Sequence, residues 1–264
     1  MLRVVVHGAL GRVGQQVLDT VCHEPEMEVV GAVDLKITQD RLPLPDGSGA
    51  VSASSDLDSI LTSCQPDVMV DFSIARATMP AVRTATDRGV NLVIGTTGLT
   101  ADDIAEIERL SREHRVGAVV APNFALGAVL MTHLAKIAAR YFDYAEIIEL
   151  HHHLKADAPS GTALSTARAM AEAKGKPFQL PKQKKSFNSR GEQVEGISIH
   201  SVRLPGLMAH QEIILGTAGQ TLRIRHDTIN RECYMPGVML AIKEVVKRKG
   251  LTYGLDALLG LEAG

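Results

Sequence analysis

The sequence has few cysteines, no long apolar run and almost no net charge. Its three cysteines, Cys22, Cys64 and Cys233, are far apart and form no CxxC pair or zinc-type spacing. They argue against a disulfide-stabilised secreted domain and favour reduced thiols inside a cell. Because no apolar run reaches the roughly 18 residues of a membrane span, and because the chain begins directly with strand-like residues, we expect a cytoplasmic protein without a targeting peptide or a membrane partner.

The near balance of charges limits the class of ligand. The chain has 28 basic and 30 acidic residues among 264, which gives a formal net charge of −2. Such a balance creates no overall field that would attract nucleic acid, so we expect no nucleic-acid partner, and any attraction for an anionic ligand must be local. The length is sufficient for one large domain or two modest ones.

Short β-branched runs alternate with helical patterns in the first half of the chain. This alternation predicts a parallel sheet with helices on its faces. The runs are almost continuously Val and Ile, which is typical of strands buried on both sides. Thr100, with Asp103 three residues later, predicts a capping box at the start of one helix. The predicted strands are 2–7, 28–33, 68–72, 90–94 and 116–121, and the predicted helices are 15–22, 78–88 and 102–114.

A second, strand-rich region follows residue 121. The polar segment from Lys174 to Glu195 predicts a long loop that either approaches an anionic ligand or is simply solvated. Its basic residues include Lys182, Lys184, Lys185 and Arg190. The predicted strands are 145–152, 197–202, 212–215 and 221–225, and the predicted helices are 127–140, 160–173 and 236–249, the last ending before Gly250.

A glycine-rich turn follows the first predicted strand. Gly8, Gly11 and Gly14 allow a tight turn whose backbone can approach a pyrophosphate, and the N–H groups of the next helix face that charge. The spacing is GxxGxxG, because Leu10 stands where a middle glycine is usual. Asp34 ends the second predicted strand, where a carboxylate commonly binds ribose hydroxyls. The pattern predicts dinucleotide binding, with a purely structural turn as the alternative.

The residues around Asp34 leave the choice of cofactor open. A carboxylate there favours the free 2′-hydroxyl of NADH, yet Lys36 and Arg12 are close enough in sequence to neutralise the 2′-phosphate of NADPH. The segments 95–98 and 121–124 follow the fourth and fifth predicted strands. They are further candidates for cofactor contact, since open α/β sheets bind ligands at the carboxyl ends of their strands, although either could be a plain loop.

Three consecutive histidines end a predicted strand. If the strand continues through them, alternation places His151 and His153 on one side and His152 on the other. We favour proton transfer here, because an imidazole titrates near neutrality and Lys155 adds a positive charge nearby. The spacing does not match a helical metal-binding motif, so we expect no metal. A metal site and histidines with a structural role stay as alternatives.

A predicted helix start follows the histidines at once. Ser160 is a natural N-cap, and the N–H groups after it, at Gly161 and Thr162, are available to a carboxylate or phosphate. An anionic substrate is therefore expected. Combined with a hydride donor, this arrangement predicts a reductase in which cations hold carboxylates while an acid protonates the atom that gains electrons.

Several motifs occur together along nearly the whole chain. They are GxxGRxG at 8–14, DFS at 71–73, GTTG at 95–98, PNF at 122–124, KADAPSGT at 155–162, and the segment 231–237. The most specific is the HHxxKxDAPSGTA pattern that begins at His151. With these motifs the sequence resembles the dihydrodipicolinate reductase family, also called 4-hydroxy-tetrahydrodipicolinate reductases, of lysine and diaminopimelate biosynthesis. The chain has His153 where arginine is common in that family and Leu154 where histidine is common.

The resemblance implies an α/β fold with two domains. A Rossmann-like, parallel-sheet dinucleotide-binding domain would comprise residues 1–124 and 229–264. A second, α+β domain with an open mixed sheet would comprise residues 125–228. This second domain would bind the substrate and assemble a homotetramer.

The resemblance also implies a reaction and its residues. NADPH or NADH would reduce the cyclic dicarboxylate 4-hydroxy-tetrahydrodipicolinate to tetrahydrodipicolinate, with His151 as the acid and Lys155 as proton donor or charge stabiliser. The substrate carboxylates would be held by His152, Lys155, Ser160, Gly161 and Thr162. The cofactor positions would be Gly8, Gly11, Arg12, Val13, Gly14, Asp34, Lys36, Gly95, Thr97, Asn123 and Phe124.

Two other functions compete with this one. A related two-domain dehydrogenase could act on another amino-acid intermediate, such as a semialdehyde, but the DAPSGT string with its histidine pair argues against it. A nicotinamide-binding sensor without catalysis is the second alternative. The presence of both His151 and Lys155 argues against a sensor.

Overall fold

The computed structural model describes residues 1–182 and 189–261 of the chain. The chain divides into two compact units, which we call unit 1 (Met1–Leu126 and Arg231–Gly264) and unit 2 (Gly127–Asn230). No helix in the described ranges has both the length and the apolar character needed to cross a membrane.

The elements of both units follow one another along the chain. The strands are β1 (Leu2–His7), β2 (Met27–Val33), β3 (Arg41–Pro43), β4 (Ala50–Ser54), β5 (Val68–Asp71), β6 (Asn91–Ile94), β7 (Gly117–Val120), β8 (Tyr144–His151), β9 (Glu192–Val194), β10 (Ile197–Arg203), β11 (Ala209–Thr217), β12 (Gln220–Thr228) and β13 (Gly250–Tyr253). The helices are α1 (Arg12–Cys22), α2 (Leu57–Cys64), α3 (Ala75–Asp87), α4 (Ala101–Glu113), α5 (Leu126–Ala139), α6 (Gly161–Lys174), α7 (Met235–Val245) and α8 (Leu255–Leu258), with a 3-10 turn at Arg231–Tyr234.

Unit 1 is built on a sheet of order β13-β7-β6-β5-β1-β2-β4-β3. All neighbouring strands are parallel except β3 and β4. This arrangement confirms the predicted Rossmann-like sheet. Because the carboxyl ends of parallel strands meet at one edge, the turns after β1, β2, β5, β6 and β7 lie along the same edge, where such sheets bind ligands.

The centre of this sheet is apolar and closed to solvent. Val4, Val5 and Val6 of β1, with Leu92 and Val93 of β6, have no exposed surface. Burial of each such side chain contributes about 1.5–3 kcal/mol. The ends of these strands, and the turns that follow them, are therefore held in fixed positions.

The N-cap of α4 is the one that the sequence predicts, whereas helix α2 and its cap are not predicted. Thr100 Oγ1 accepts the N–H of Asp103 at 3.2 Å, and the Asp103 carboxylate accepts the N–H of Thr100 at 2.8 Å, which confirms the predicted capping box. The sequence patterns do not predict β3, β4 or α2, which lie between residues 34 and 67. Asp56 caps α2 by accepting the N–H of Asp58 at 3.0 Å.

Unit 2 is built on a sheet of order β12-β11-β8-β10-β9. Strands β8 and β10 are parallel, and the other neighbours are antiparallel, so the predicted mixed sheet is confirmed. One face of the sheet packs against α5 and α6. The buried residues of this core include Met131, Ala135, Ala167, Met170, Ile147, Ile199 and Ile213.

Two local predictions for unit 2 are wrong in detail. The strand that carries the histidines ends at His151, so it does not include residue 152. Both ends of the predicted loop 174–195 belong to regular elements, because Lys174 is in α6 and Glu192–Val194 forms β9 against β10. Of its basic residues, Lys182 is exposed and Arg190 forms an ion pair with Glu146. Lys184 and Lys185 lie outside the described residues.

Candidate functional site

The turn between β1 and α1 is tight and leaves free N–H groups at a helix start. Gly8 has a φ of +82°, and its N–H donates to the carbonyl of Val33 at 2.8 Å. A Cβ on Gly14 would lie 2.1 Å from the carbonyl oxygen of Gly8, so the two backbone segments are in direct contact. Gly11, the N-cap of α1, provides no side-chain cap. The first N–H groups of α1 are thus available to an anion, as dinucleotide phosphates require.

Asp34 is joined to this turn by its carboxylate. Oδ2 accepts the N–H of Leu10 at 3.1 Å, and Oδ1 accepts the N–H of Lys36 at 3.0 Å. Each carboxylate oxygen has a further acceptor position, so Asp34 can also receive ribose hydroxyls. The side chains of Arg12 and Lys36 are exposed. The structure therefore brings the predicted acidic residue and the glycine turn together.

A cavity of about 350 Å³ borders the same turn. It is lined by Leu10 and Arg12 on one side and by Leu42 and Pro43 of β3 on the other. The cavity gives a ligand at the turn room to extend towards β3, an element that the sequence pattern misses.

A buried carboxylate ties together the strand ends beside the turn. Asp71 has no exposed surface and accepts hydrogen bonds from His7 Nδ1 at 2.9 Å, Thr78 Oγ1 at 2.6 Å, Thr96 Oγ1 at 3.1 Å and the N–H of Ser73 at 3.1 Å. Burial raises the pKa of Asp71, but these bonds, led by that from His7, hold it below its usual range. In the sequence, Asp71 stands out only as part of the DFS motif, which indicates no role for it.

Two of the other predicted cofactor residues of unit 1, Gly95 and Phe124, lie against Phe72. A Cβ on Gly95 would lie 2.1 Å from the Phe72 ring, and this ring contacts that of Phe124 with centroids 5.6 Å apart. Phe124 is buried, so its side chain belongs to the core. Asn123 Oδ1 accepts the N–H of Ala125 at 2.9 Å, and Thr97 is exposed. At the turns after β5, β6 and β7, a ligand would therefore contact backbone and small polar groups.

The predicted site of unit 2 begins where β8 ends. His151 is the last residue of β8, while His152 and His153 are exposed and lie in the turn that follows. The strand alternation that would pair His151 with His153 therefore does not apply. The N–H of Lys155 donates to the carbonyl of His152 at 3.1 Å and closes this turn. We call residues 152–160 the Lys155 loop.

The Lys155 loop leads into the N-terminus of α6. Ser160 Oγ accepts the N–H of Ala163 at 3.2 Å, which confirms the predicted cap. Gly161 and Thr162 are exposed. Lys155 Nζ donates to Asp157 Oδ1 at 2.7 Å, and this bond is the main reason that the pKa of Asp157 lies below its usual range. A cation and a helix N-terminus thus lie a few residues apart, a combination suited to carboxylates.

Glu149 and Arg203 are the site residues that sequence patterns miss. Glu149 has no exposed surface and accepts a bond from His151 Nδ1 at 2.5 Å. Its oxygens also accept bonds from Arg203 Nη1 at 2.8 Å and Nη2 at 2.7 Å, and from the N–H of Ser160 at 3.2 Å. Burial raises the pKa of Glu149, but the bonds from His151 and Arg203 lower it to about 2. The carboxylate is therefore charged at any physiological pH.

The described histidines and acids do not form a metal centre. Within residues 1–182 and 189–261, no group of three or more His, Cys, Asp or Glu side chains has an arrangement that could hold a metal ion.

The fold and these two sets of residues define an oxidoreductase that uses a nicotinamide cofactor. Family models for dihydrodipicolinate reductase match the chain twice, the N-terminal model at residues 2–124 and the C-terminal model at residues 127–259. The chain belongs to the dihydrodipicolinate reductase family. This membership agrees with the resemblance seen in the motifs.

Relatives cover the chain from end to end. A 4-hydroxy-tetrahydrodipicolinate reductase of Dehalococcoides mccartyi is 56% identical over 98% of this chain and 99% of its own length. The enzyme of the same name from Bacillus subtilis is 42% identical over 98% of both chains. The solved structure of dipicolinate-bound dihydrodipicolinate reductase from Paenisporosarcina sp. TG-14 has a TM-score of 0.87 and 39% identity, covering 97% of this chain and 98% of that chain.

Proposed function

We propose that the protein reduces 4-hydroxy-tetrahydrodipicolinate to tetrahydrodipicolinate with NADPH or NADH. The observation that carries the proposal is the Lys155 loop, because it joins a histidine, a lysine and a helix start within a few residues. The Lys155 cation, and the N–H groups of the exposed residues Gly161 and Thr162 that follow the loop, suit a small dicarboxylate such as the dipicolinate bound by the Paenisporosarcina enzyme. Family membership supports the same substrate.

The residues of unit 2 divide between binding and proton transfer. The side chains of His152 and Lys155 and the groups of Ser160, Gly161 and Thr162 bind the two carboxylates. Either His151 or Lys155 provides the proton that accompanies the hydride, and the 4-hydroxyl group of the substrate leaves as water. The Lys155–Asp157 ion pair gives way when the substrate arrives, since the dicarboxylate offers Lys155 a competing anion.

The residues of unit 1 fit a dinucleotide. The N–H groups of Arg12, Val13 and Gly14 would bind the pyrophosphate, Asp34 the adenosine ribose, and Lys36 or Arg12 a 2′-phosphate where present. The positions that would line the rest of the cofactor are Gly8, Gly11, Gly95, Thr97 and the backbone at Asn123 and Phe124. When bound, the reduced nicotinamide supplies the hydride.

Asp34→Asn should shift the cofactor preference towards NADPH. The substitution removes the charge that favours a free 2′-hydroxyl and repels a 2′-phosphate, while one acceptor for the N–H groups of Leu10 and Lys36 remains. We expect the Kd for NADH to rise about tenfold and the Kd for NADPH to stay constant or fall. Fluorescence titration with each cofactor measures both values. Asp40→Asn, the same charge change on an exposed neighbour, should leave them unchanged, and equal losses in Asp34→Asn would contradict the assignment.

Gly161→Ala should weaken the substrate and spare the fold. A Cβ at this position meets no heavy atom within 4 Å, so the free protein accommodates it. It would, however, lie in front of the first N–H groups of α6, and we expect KM for the dicarboxylate to rise about tenfold, or about 1.4 kcal/mol, with NADH affinity unchanged. Gly216→Ala is the matched control, because its Cβ also meets nothing within 4 Å. An unchanged KM in Gly161→Ala would show that the start of α6 does not bind the substrate.

The activity itself is tested with a coupled assay. A synthase makes the substrate from pyruvate and aspartate semialdehyde, and the loss of reduced-nicotinamide absorbance is followed with NADH and NADPH separately. Oxidation that depends on the synthase supports the proposal and ranks the cofactors. A protein that binds cofactor but shows no oxidation would instead be a related dehydrogenase or a sensor.

We further propose that the protein forms a homotetramer in the cytoplasm. Helix α5 exposes an apolar stripe of Leu130, Leu134 and Ile137, which are between 42% and 49% exposed. Their spacing places them on one side of the helix, opposite the buried Met131 and Ala135. A contiguous apolar surface of this kind is typical of a protein interface, and a second copy of the chain would cover it. The molar mass in solution tests this assembly.

A further inference from the structure

Glu149 lies at the centre of a buried polar cluster in which its own acceptor positions are filled, while the buried Nε of Arg203 has no partner. A carboxylate offers about four acceptor positions. In Glu149 these receive His151 Nδ1, the two Nη groups of Arg203 and the N–H of Ser160. Two of these donor residues, His151 and Ser160, belong to the proposed substrate site, so the cluster and the site share their framework.

Arg203 connects Glu149 to the Lys155 loop. Its Nη2 also donates to the carbonyl of Asp157 at 2.7 Å. Arg203 lies opposite His151 in the parallel pairing of β10 with β8. The Lys155 loop is therefore held at Asp157 by Arg203 and at Ser160 by Glu149, on either side of the peptide segment that leads to α6.

Stability is a poor explanation for this buried pair. Taking two charges out of water costs free energy that their attraction only just restores, and well-packed apolar residues of similar volume are often as stable. Arg203 and Glu149 also require each other, because removal of one leaves the other charged and buried. Their contacts with His151 and the Lys155 loop point instead to a role in the reaction.

We propose that Glu149 and Arg203 are positioning residues for the reduction proposed above, on which this inference rests. Glu149 holds the His151 ring with its Nδ1–H directed at the carboxylate, which leaves Nε2 as the nitrogen that exchanges a proton with the substrate. The fixed negative charge also stabilises the ring when it is protonated. Arg203 neutralises Glu149 in part and fixes the loop that carries Lys155.

The charged groups around His151 come from three elements. They are Glu149 on the same strand, Arg203 on β10, and Lys155 with Asp157 on the Lys155 loop. On the other neighbouring strand, β11, the residue opposite His151 is the uncharged Ala209. The next residue, His210, donates from Nδ1 to the Asp227 carboxylate at 2.7 Å. Of these groups, Glu149 is the one bonded to the His151 ring.

Glu149→Gln tests the inference, because the amide keeps the shape and loses the charge. We expect kcat/KM at neutral pH to fall about 10- to 100-fold with NADH affinity unchanged. Because the loss of a nearby negative charge disfavours the protonated form of an acid that faces it, the alkaline limb of the kcat/KM profile should move to lower pH. Glu149→Asp, which keeps the charge, should restore the position of that limb.

Glu146→Gln is the matched control. Glu146 lies three residues earlier on β8 and also contacts an arginine and a histidine, Arg190 and His200, the latter at 2.8 Å. The same chemical change at this position should leave kcat/KM within about twofold and the pH profile in place. A wild-type profile in Glu149→Gln, or an equal shift in Glu146→Gln, would overturn the proposal.

A second variant covers the case in which Glu149→Gln does not fold. Arg203→Lys keeps the positive charge and loses the paired bonds to Glu149 and Asp157. We expect at least about tenfold weaker binding of pyridine-2,6-dicarboxylate by calorimetry, and unchanged binding would overturn the role of Arg203. Wild-type turnover is measured in parallel. Its absence would reject the proposed function, whereas the dicarboxylate titrations would still decide whether the pair positions the site.

Discussion

Lys155→Ala should lower kcat/KM about 10²- to 10⁴-fold and leave the affinity for NADH and NADPH nearly intact. Lys155 is the cation of the proposed substrate site, and it is either the proton donor or the group that stabilises the developing charge. The lysine pairs with Asp157, whose side chain is 59% exposed. Because an exposed ion pair contributes only about 0–1 kcal/mol to stability, the fold should survive the substitution. Turnover in the coupled assay and fluorescence titration of each cofactor measure the two effects.

Two further variants test the cause of the lower kcat/KM in Lys155→Ala. Lys176→Ala removes an exposed lysine of the same unit and should retain wild-type turnover. In Lys155→Ala the Asp157 carboxylate is left without its partner and would repel a dicarboxylate. The double variant Lys155→Ala/Asp157→Asn should therefore regain part of the substrate affinity but little of kcat. Wild-type turnover in Lys155→Ala would reject the substrate site altogether.

Local patterns predicted those parts of the fold that depend on near neighbours in sequence. The Thr100–Asp103 capping box and the Ser160 cap are formed by groups three residues apart, and both occur as expected. The parallel sheet of unit 1 follows from continuous apolar runs, which leave no other way to bury both faces. Strands β3 and β4 have only three and five residues, too few for hydrophobic periodicity to indicate them.

The candidate site of unit 2 was predictable only where its residues are adjacent in the chain. Lys155, Ser160 and their neighbours form one segment, and the motif indicates them directly. The Glu149–Arg203 pair joins residues 54 positions apart, and neither has a distinctive local context. Only the pairing of β8 with β10 brings them together. The histidines illustrate the converse, because strand alternation suggested one side for His151 and His153, but the strand ends at His151 and the following turn exposes the other two.

Gly14→Ala should reduce the affinity for NADH and NADPH at least about 100-fold. The new Cβ would lie 2.1 Å from the carbonyl oxygen and 2.9 Å from the carbonyl carbon of Gly8. Both atoms belong to the backbone. Gly8 cannot move away from the new Cβ, because its N–H is bonded to the Val33 carbonyl and its Cα packs against the Phe72 carbonyl. The turn must therefore open, and the N–H groups that would hold the pyrophosphate move with it. Fluorescence titration measures the cofactor affinity, and thermal unfolding measures the cost to the fold.

Gly31→Ala separates the cofactor effect of Gly14→Ala from a general loss of stability. Its Cβ would lie 2.7 Å from the Ile60 Cγ2, a side-chain atom away from the turn. Overpacking of this kind costs about 1–3 kcal/mol, but NADH affinity should stay near the wild-type value. Gly11→Ala, with its Cβ 3.0 Å from the same Gly8 oxygen, should fall between the two. If Gly14→Ala bound NADH as the wild type does, the contact between Gly8 and Gly14 would be a packing feature, and the phosphates would have to bind elsewhere in unit 1.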